Sequence, residues 1–143
     1  MRIPKPQAEP RFEPAAQWLH DAHLRRERFA PLPEELAPQS VDDAYAIQAA
    51  YVGLRQEQGS VVGYKIAVTT PAMRRMTGLK DAIAGDMLEK TVLRGPASVR
   101  AADYVHLLVE FEIAVELADD LPVVGAPYTR ETVAQPSTER RLP

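Results

Sequence analysis

The sequence predicts an α/β (α+β) domain in which two N-terminal helices are followed by a mixed, largely antiparallel sheet. Three observations lead there. Apolar residues recur at helical spacing in two stretches between Pro14 and Leu54, the apolar period falls to two at Val61, and a longer alternating run begins near Tyr104.

The elements follow in order. Residues 1–13, with Pro4, Pro6 and Pro10, read as a flexible proline-rich arm. Pro14 suits a first helical turn, and Ala15, Trp18, Leu19, Ala22 and Phe29 then mark an amphipathic helix reaching about Phe29. Pro31-Leu32-Pro33 to Pro38 forms a rigid connector. Ser40-Val41-Asp42-Asp43 resembles a capping box with Ser40 as N-cap; Tyr45, Ile47, Ala50, Tyr51 and Leu54 line the helix behind it, and Gly59 stops it. In the strand from Val61, one face carries Val62, Tyr64, Ile66 and Val68, the other Val61, Gly63, Lys65 and Ala67. Thr70-Pro71 opens a short helix through Met73 and Met76 that Gly78 closes. Ala82 to Pro96 reads as turn-rich. In the following strand Val109, Phe111, Ile113 and Val115 point one way, and Leu108, Glu110, Glu112, Ala114 and Glu116 the other. The domain so delimited runs from 14 to 134, and residues 135–143 read as a disordered tail.

Composition narrows the function. The chain has 143 residues, 45% hydrophobic and 26% charged, with 17 Lys+Arg against 20 Asp+Glu and a net charge of -3. That is one ordinary domain, with enough length to bury a core. Zero Cys excludes disulfide scaffolds, thiolate zinc sites and cysteine nucleophiles. A mildly acidic chain lacks the concentrated Lys/Arg surface that nucleic-acid binding requires, and Arg25-Arg26 with Arg28 and Arg140-Arg141 are short clusters among carboxylates. No apolar stretch is long enough to span a membrane, and Met1-Arg2-Ile3-Pro4-Lys5-Pro6 has no signal-type apolar region, so a cytoplasmic protein without membrane contact is expected.

Few residues offer chemistry. Glu110 and Glu112, at i and i+2 within an apolar strand, place two carboxylates on one side of the sheet, within reach of one ion. Such a pair repels itself unless a proton or a cation neutralises it, and a hard divalent metal is the natural partner. The alternative, commoner for so short a motif, is a polar strand face pointing to water. Lys65 stands between Gly63 and Ala67, where an ammonium has room to hold an anionic substrate; its alternative is a packed stem with a solvated charge. Asp81 and Asp86 flank Gly85 among residues that suit turns. His20, His23 and His106 show no metal-ligand spacing, the first two lying i, i+3 on an exposed helix surface. No nucleophile triad, phosphate loop or H-E-x-x-H pattern occurs.

The order of the motifs adds information. Ala44-Tyr45-Ala46-Ile47-Gln48, Val62-Gly63-Tyr64-Lys65-Ile66, Thr69-Thr70-Pro71-Ala72-Met73, Gly85-Asp86-Met87, Val109-Glu110-Phe111-Glu112-Ile113-Ala114 and Asp119-Asp120-Leu121-Pro122 together resemble the 2-keto-4-pentenoate hydratase family, part of the fumarylacetoacetate hydrolase-like superfamily. The resemblance covers about Ala15 to Val133. It implies an incomplete fumarylacetoacetase-like β-roll, Glu110 and Glu112 as ligands of Mg2+ or Mn2+, and Lys65 and Asp81 as substrate-positioning or proton-transferring groups. The implied reaction adds water to a 2-hydroxydienoic or 2-oxo-enoic acid, giving a 4-hydroxy-2-oxo acid in aromatic catabolism; 4-oxalocrotonate decarboxylases are related. Members of the family are roughly twice as long, and the third metal ligand belongs to the part expected after Val133. A truncated member is therefore expected, impaired or inactive alone, and homo-oligomeric or associated with a longer homologue. Two other readings stay open: a non-catalytic partner subunit, and a structural domain whose Glu pair is solvated.

Overall fold

The structure, a computed structural model, describes residues 9–28, 30–117, 121 and 128–133. They fall into two units, Met1–Leu107 and Leu108–Pro143.

In the first unit a 3-10 turn, Pro10–Phe12, leads into α1, Glu13–Leu24, with Pro14 in the first turn as expected. The helix ends before Phe29, which lies outside the described residues. Arg26 takes a left-handed conformation (φ 52°), its N–H donates to the His23 carbonyl at 3.0 Å, and the Glu27 N–H donates to the Ala22 carbonyl at 2.9 Å. This is a Schellman stop with arginine where glycine is usual, so the sequence carried no glycine to announce it.

Helix α2, Val41–Leu54, starts where the capping residues place it. Ser40 Oγ accepts the Asp43 N–H at 3.0 Å, while the Asp43 carboxylate accepts the N–H of Gln39 at 3.1 Å, one residue earlier than a standard box. A 3-10 turn at Gln56–Gln58 and Gly59 (φ 87°) end the segment. Ala15 and Ala16 of α1 are almost wholly buried, and their small side chains let α1 and α2 approach closely. Phe12, Ala15, Ala46 and Ile47 form the core, with Leu19, Leu32 and Leu36 packed against it. Burial of a side chain such as Ile47 stabilises by about 1.5–3 kcal/mol.

Strand β1, Val61–Ala67, follows, then α3, Pro71–Thr77, then β2, Ile83–Leu88. Thr70 Oγ1 caps α3 by accepting the Met73 N–H at 3.2 Å, and left-handed Gly78 closes it. The two strands pair antiparallel, Lys65 opposite Gly85, Tyr64 opposite Asp86, Ile66 opposite Ala84 and Ala67 opposite Ile83, with a bulge at Val62 between the Val61 and Gly63 pairs. The expectation that Ala82 to Pro96 is turn-rich is thus corrected for Ile83–Leu88: Gly85 and Asp86 are poor strand formers, and pairing with β1 overrides them. Val68 also leaves its expected strand face. It is buried at φ 59°, which ends β1 at Ala67. Helix α2 meets β2 at Ala84, where Tyr45 Oη accepts the Ala84 N–H at 3.0 Å and Gln48 Nε2 donates to the Ala84 carbonyl at 3.2 Å.

In the second unit the expected strand is not formed. Residues 108–117 have no regular secondary structure, and the only sheet among the described residues is β1-β2. Alternation fixes which side chains would share a face, but a strand exists through its ladder partner, and no described residue pairs with this run. Phe111 and Ile113 are accordingly 99% and 94% exposed. A short helix α4, Arg130–Val133, follows Thr129, whose Oγ1 accepts the Thr132 N–H at 3.2 Å. Most of the proline-rich arm and all of the 135–143 tail lie outside the described residues. What is described is mixed α/β, helices with a two-stranded antiparallel sheet.

Candidate functional site

Lys65 sits in the middle of β1, and the ladder defines its surroundings. Residues opposite each other in an antiparallel pair share a face, so Gly85 is its cross-strand neighbour, with the Gly63/Met87 and Ala67/Ile83 pairs on either side. In the sequence Gly85 stands among turn-suited residues and in the Gly85-Asp86-Met87 motif; its place beside Lys65 is set by a long-range pairing that spacing cannot reveal. Nothing lies within 4 Å of where a Gly85 Cβ would stand. Lys65 is exposed and Gly85 half-buried.

Asp81 is exposed in the bend that leads into β2, four residues before Gly85. Asp86 lies opposite Tyr64, on the sheet face that Lys65 does not share. Lys65, Asp81 and Asp86 belong to the first unit; Glu110 and Glu112 belong to the second, both exposed within the irregular run 108–117.

Among the described residues no group of three or more His, Asp or Glu side chains is placed to hold an ion. Mg2+ demands near-octahedral oxygen coordination and surrenders its water reluctantly, so two carboxylates alone make a weak site. The described residues therefore do not complete a magnesium centre.

Two further features could bear on chemistry. One cavity of about 200 Å3 is lined by Arg11, Phe12, Ala15, Leu36, Gln39 and Asp43, among others. It is smaller than the ~300–1,000 Å3 of ordinary ligand pockets, includes none of the sequence-predicted site residues, and holds the Arg11–Asp43 ion pair at 3.3 Å that anchors the start of α2. His23 is exposed as expected and His20 is half-buried; both meet the ring of Tyr51 edge-on, with centroids 6.5 and 6.3 Å away respectively. The Arg55 guanidinium lies over the same ring, 5.6 Å from its centroid, and donates to Tyr51 Oη at 3.2 Å. This cluster joins α1 to α2. Partial burial, then the Arg55 charge, then His20 hold the His23 imidazole below its ordinary pKa.

Comparison with known proteins gives the chain its relatives. It is 33% identical over 112 residues to a 2-keto-4-pentenoate hydratase of Paraburkholderia phymatum, an alignment covering 78% of this chain and 43% of that protein. It is 32% identical over 125 residues to a 2-hydroxyhexa-2,4-dienoate hydratase of Comamonas testosteroni, covering 85% and 47%. To a 2-oxo-hept-4-ene-1,7-dioate hydratase of Escherichia coli it is 26% identical over 107 residues, covering 74% and 40%. The chain thus spans less than half the length of these relatives. No family model and no solved structure matches it.

Proposed function

The chain belongs to the 2-keto-4-pentenoate hydratase family, and from that premise we propose that it derives from a hydro-lyase adding water to a 2-hydroxydienoic or 2-oxo-enoic acid in the breakdown of aromatic compounds. The observation that carries this reading is the alignment with hydratases across most of its length. Lys65 is the group that holds the substrate's carboxylate, a role its open position between small neighbours supports. Asp81, in the bend beside β2, serves as a second positioning or proton-transferring group. Glu110 and Glu112 supply two ligands to Mg2+ or Mn2+. Because the described residues offer no third, the 143-residue polypeptide by itself holds the ion weakly and turns over little or no substrate. A longer homologue is the partner that would restore activity, in an assembly built either from like chains or from both.

Mn2+ titration followed by electron paramagnetic resonance tests the ligand assignment. Weak binding that disappears in the Glu110→Gln/Glu112→Gln double variant is expected; binding unchanged by both substitutions refutes it. A steady-state assay with a 2-hydroxydienoate and Mg2+ tests the activity statement, and turnover like that of full-length hydratases refutes it. Ligand-observed NMR with 2-oxopentanoate, a 2-oxo acid with no carbon–carbon double bond to take up water, tests Lys65: binding should be seen and should be lost in Lys65→Met.

A further inference from the structure

A glycine inside a strand weakens it, because it loses the most backbone freedom on folding and offers no side chain to pack. Such a residue calls for a reason, and the usual two are missing at Gly85. Its backbone is not left-handed, unlike that of Gly59 or Gly78. Its position is not crowded, since an added Cβ would meet no atom within 4 Å, and it lies away from the bulge at Val62. Among the described residues nothing therefore requires glycine there. What distinguishes the position is its neighbour: Gly85 is directly opposite Lys65, so any side chain it carried would rise beside the Lys65 stem, about 4.5–5.5 Å away at Cβ.

We propose that Gly85 is a specificity-determining residue, whose missing side chain keeps open the space beside Lys65 in which the carboxylate end of a small 2-oxo acid sits. The inference rests on the reading of Lys65 given above and adds to it the residue that faces Lys65 across the ladder. A substituent at 85 would fill the volume that the anion needs before it touched anything in the fold. Branched side chains would intrude more than a methyl group, so the position would set how closely a ligand can approach the ammonium.

The full chain and its Gly85→Ala, Gly85→Val and Lys65→Met variants separate the two ideas. Thermal midpoints are measured together with 2-oxopentanoate binding by ligand-observed NMR. Gly53→Ala in α2, where a Cβ also meets nothing, is the control. The inference expects opposite signs: Gly85→Ala and Gly85→Val raise the folding constant about two- to fivefold, the gain expected from relieving a strand of glycine, while the dissociation constant rises a few-fold for Ala and more than tenfold for Val. Gly53→Ala should stabilise without changing binding. If Gly85→Val binds as tightly as the parent while Lys65→Met does not bind, the reading of Lys65 stands and the proposal for Gly85 is overturned. A lowered midpoint in both Gly85 variants would show a structural demand for glycine and overturn it equally. If the parent does not bind, or Lys65→Met binds unchanged, the reading of Lys65 fails first, and the proposal with it.

Discussion

Replacing Tyr45 with Phe removes one oxygen and isolates one hydrogen bond. The Tyr45 ring is buried, and its Oη accepts the Ala84 N–H at 3.0 Å across the contact between α2 and the edge of β2. The phenylalanine ring fills the same space, so little of the cost arises from lost packing. It arises from a buried backbone donor left without an acceptor, worth about 1–3 kcal/mol. Unfolding entropy of about 2 cal/mol/K per residue makes 1 kcal/mol equal to about 4–5 °C in a unit the size of Met1–Leu107. The thermal midpoint, followed by far-ultraviolet circular dichroism, should therefore fall by roughly 5–13 °C. Gln48→Leu provides the contrast, because the Ala84 carbonyl it abandons is an acceptor in a half-buried place. Losing that bond should cost no more than about 1 kcal/mol. Native-state hydrogen exchange gives the local readout, with the Ala84 amide losing protection in Tyr45→Phe and keeping it in Gln48→Leu. A Tyr45→Phe midpoint within 2 °C of the parent, roughly half a kcal/mol, with Ala84 still protected, would refute the assignment of this bond as the clamp on β2.

Two further predictions concern α1. Arg26 holds a left-handed conformation and also donates Nη1 to the Ala102 carbonyl at 2.9 Å, beside Asp103 at 3.6 Å. Gly removes the strain together with these exposed contacts, whereas Ala removes the contacts alone, so Arg26→Ala should be less stable than Arg26→Gly by about 1 kcal/mol in urea unfolding. Equal midpoints for the two would contradict the Schellman stop. The pKa of His23 is lowered in the fold by partial burial, by Arg55 and by His20, so the unfolded chain takes up its proton more readily. Its contribution to stability is complete above the unfolded value near 6.5 and is lost as the pH falls from there towards the folded value. Melts at pH 7.5 and 5.5 should show a smaller acid loss in His23→Gln than in the parent.

Local chemistry was readable wherever one side chain settles one backbone group. Ser40, Thr70 and Gly78 mark helix ends because a hydroxyl or a missing Cβ acts within three or four residues, and the structure places caps at all three. Arg26 broke that rule by taking glycine's conformation, so α1 ended where no signal stood. Strand β2 escaped notice because Gly85 and Asp86 dilute its pattern, and its existence depends on a partner about twenty residues away. The run 108–117 failed in the opposite sense, with a clear alternation and no described residue to pair with it. The site follows the same division. Lys65 stood out in the sequence by its small neighbours, but the glycine facing it across the ladder emerged only with the register, and Glu110 and Glu112 lie in a different unit from Lys65.

The clamp of α2 on Ala84 has a directional consequence. With both outward main-chain groups of that residue already engaged by Tyr45 and Gln48, a further strand cannot take up the ladder on β2 at Ala84.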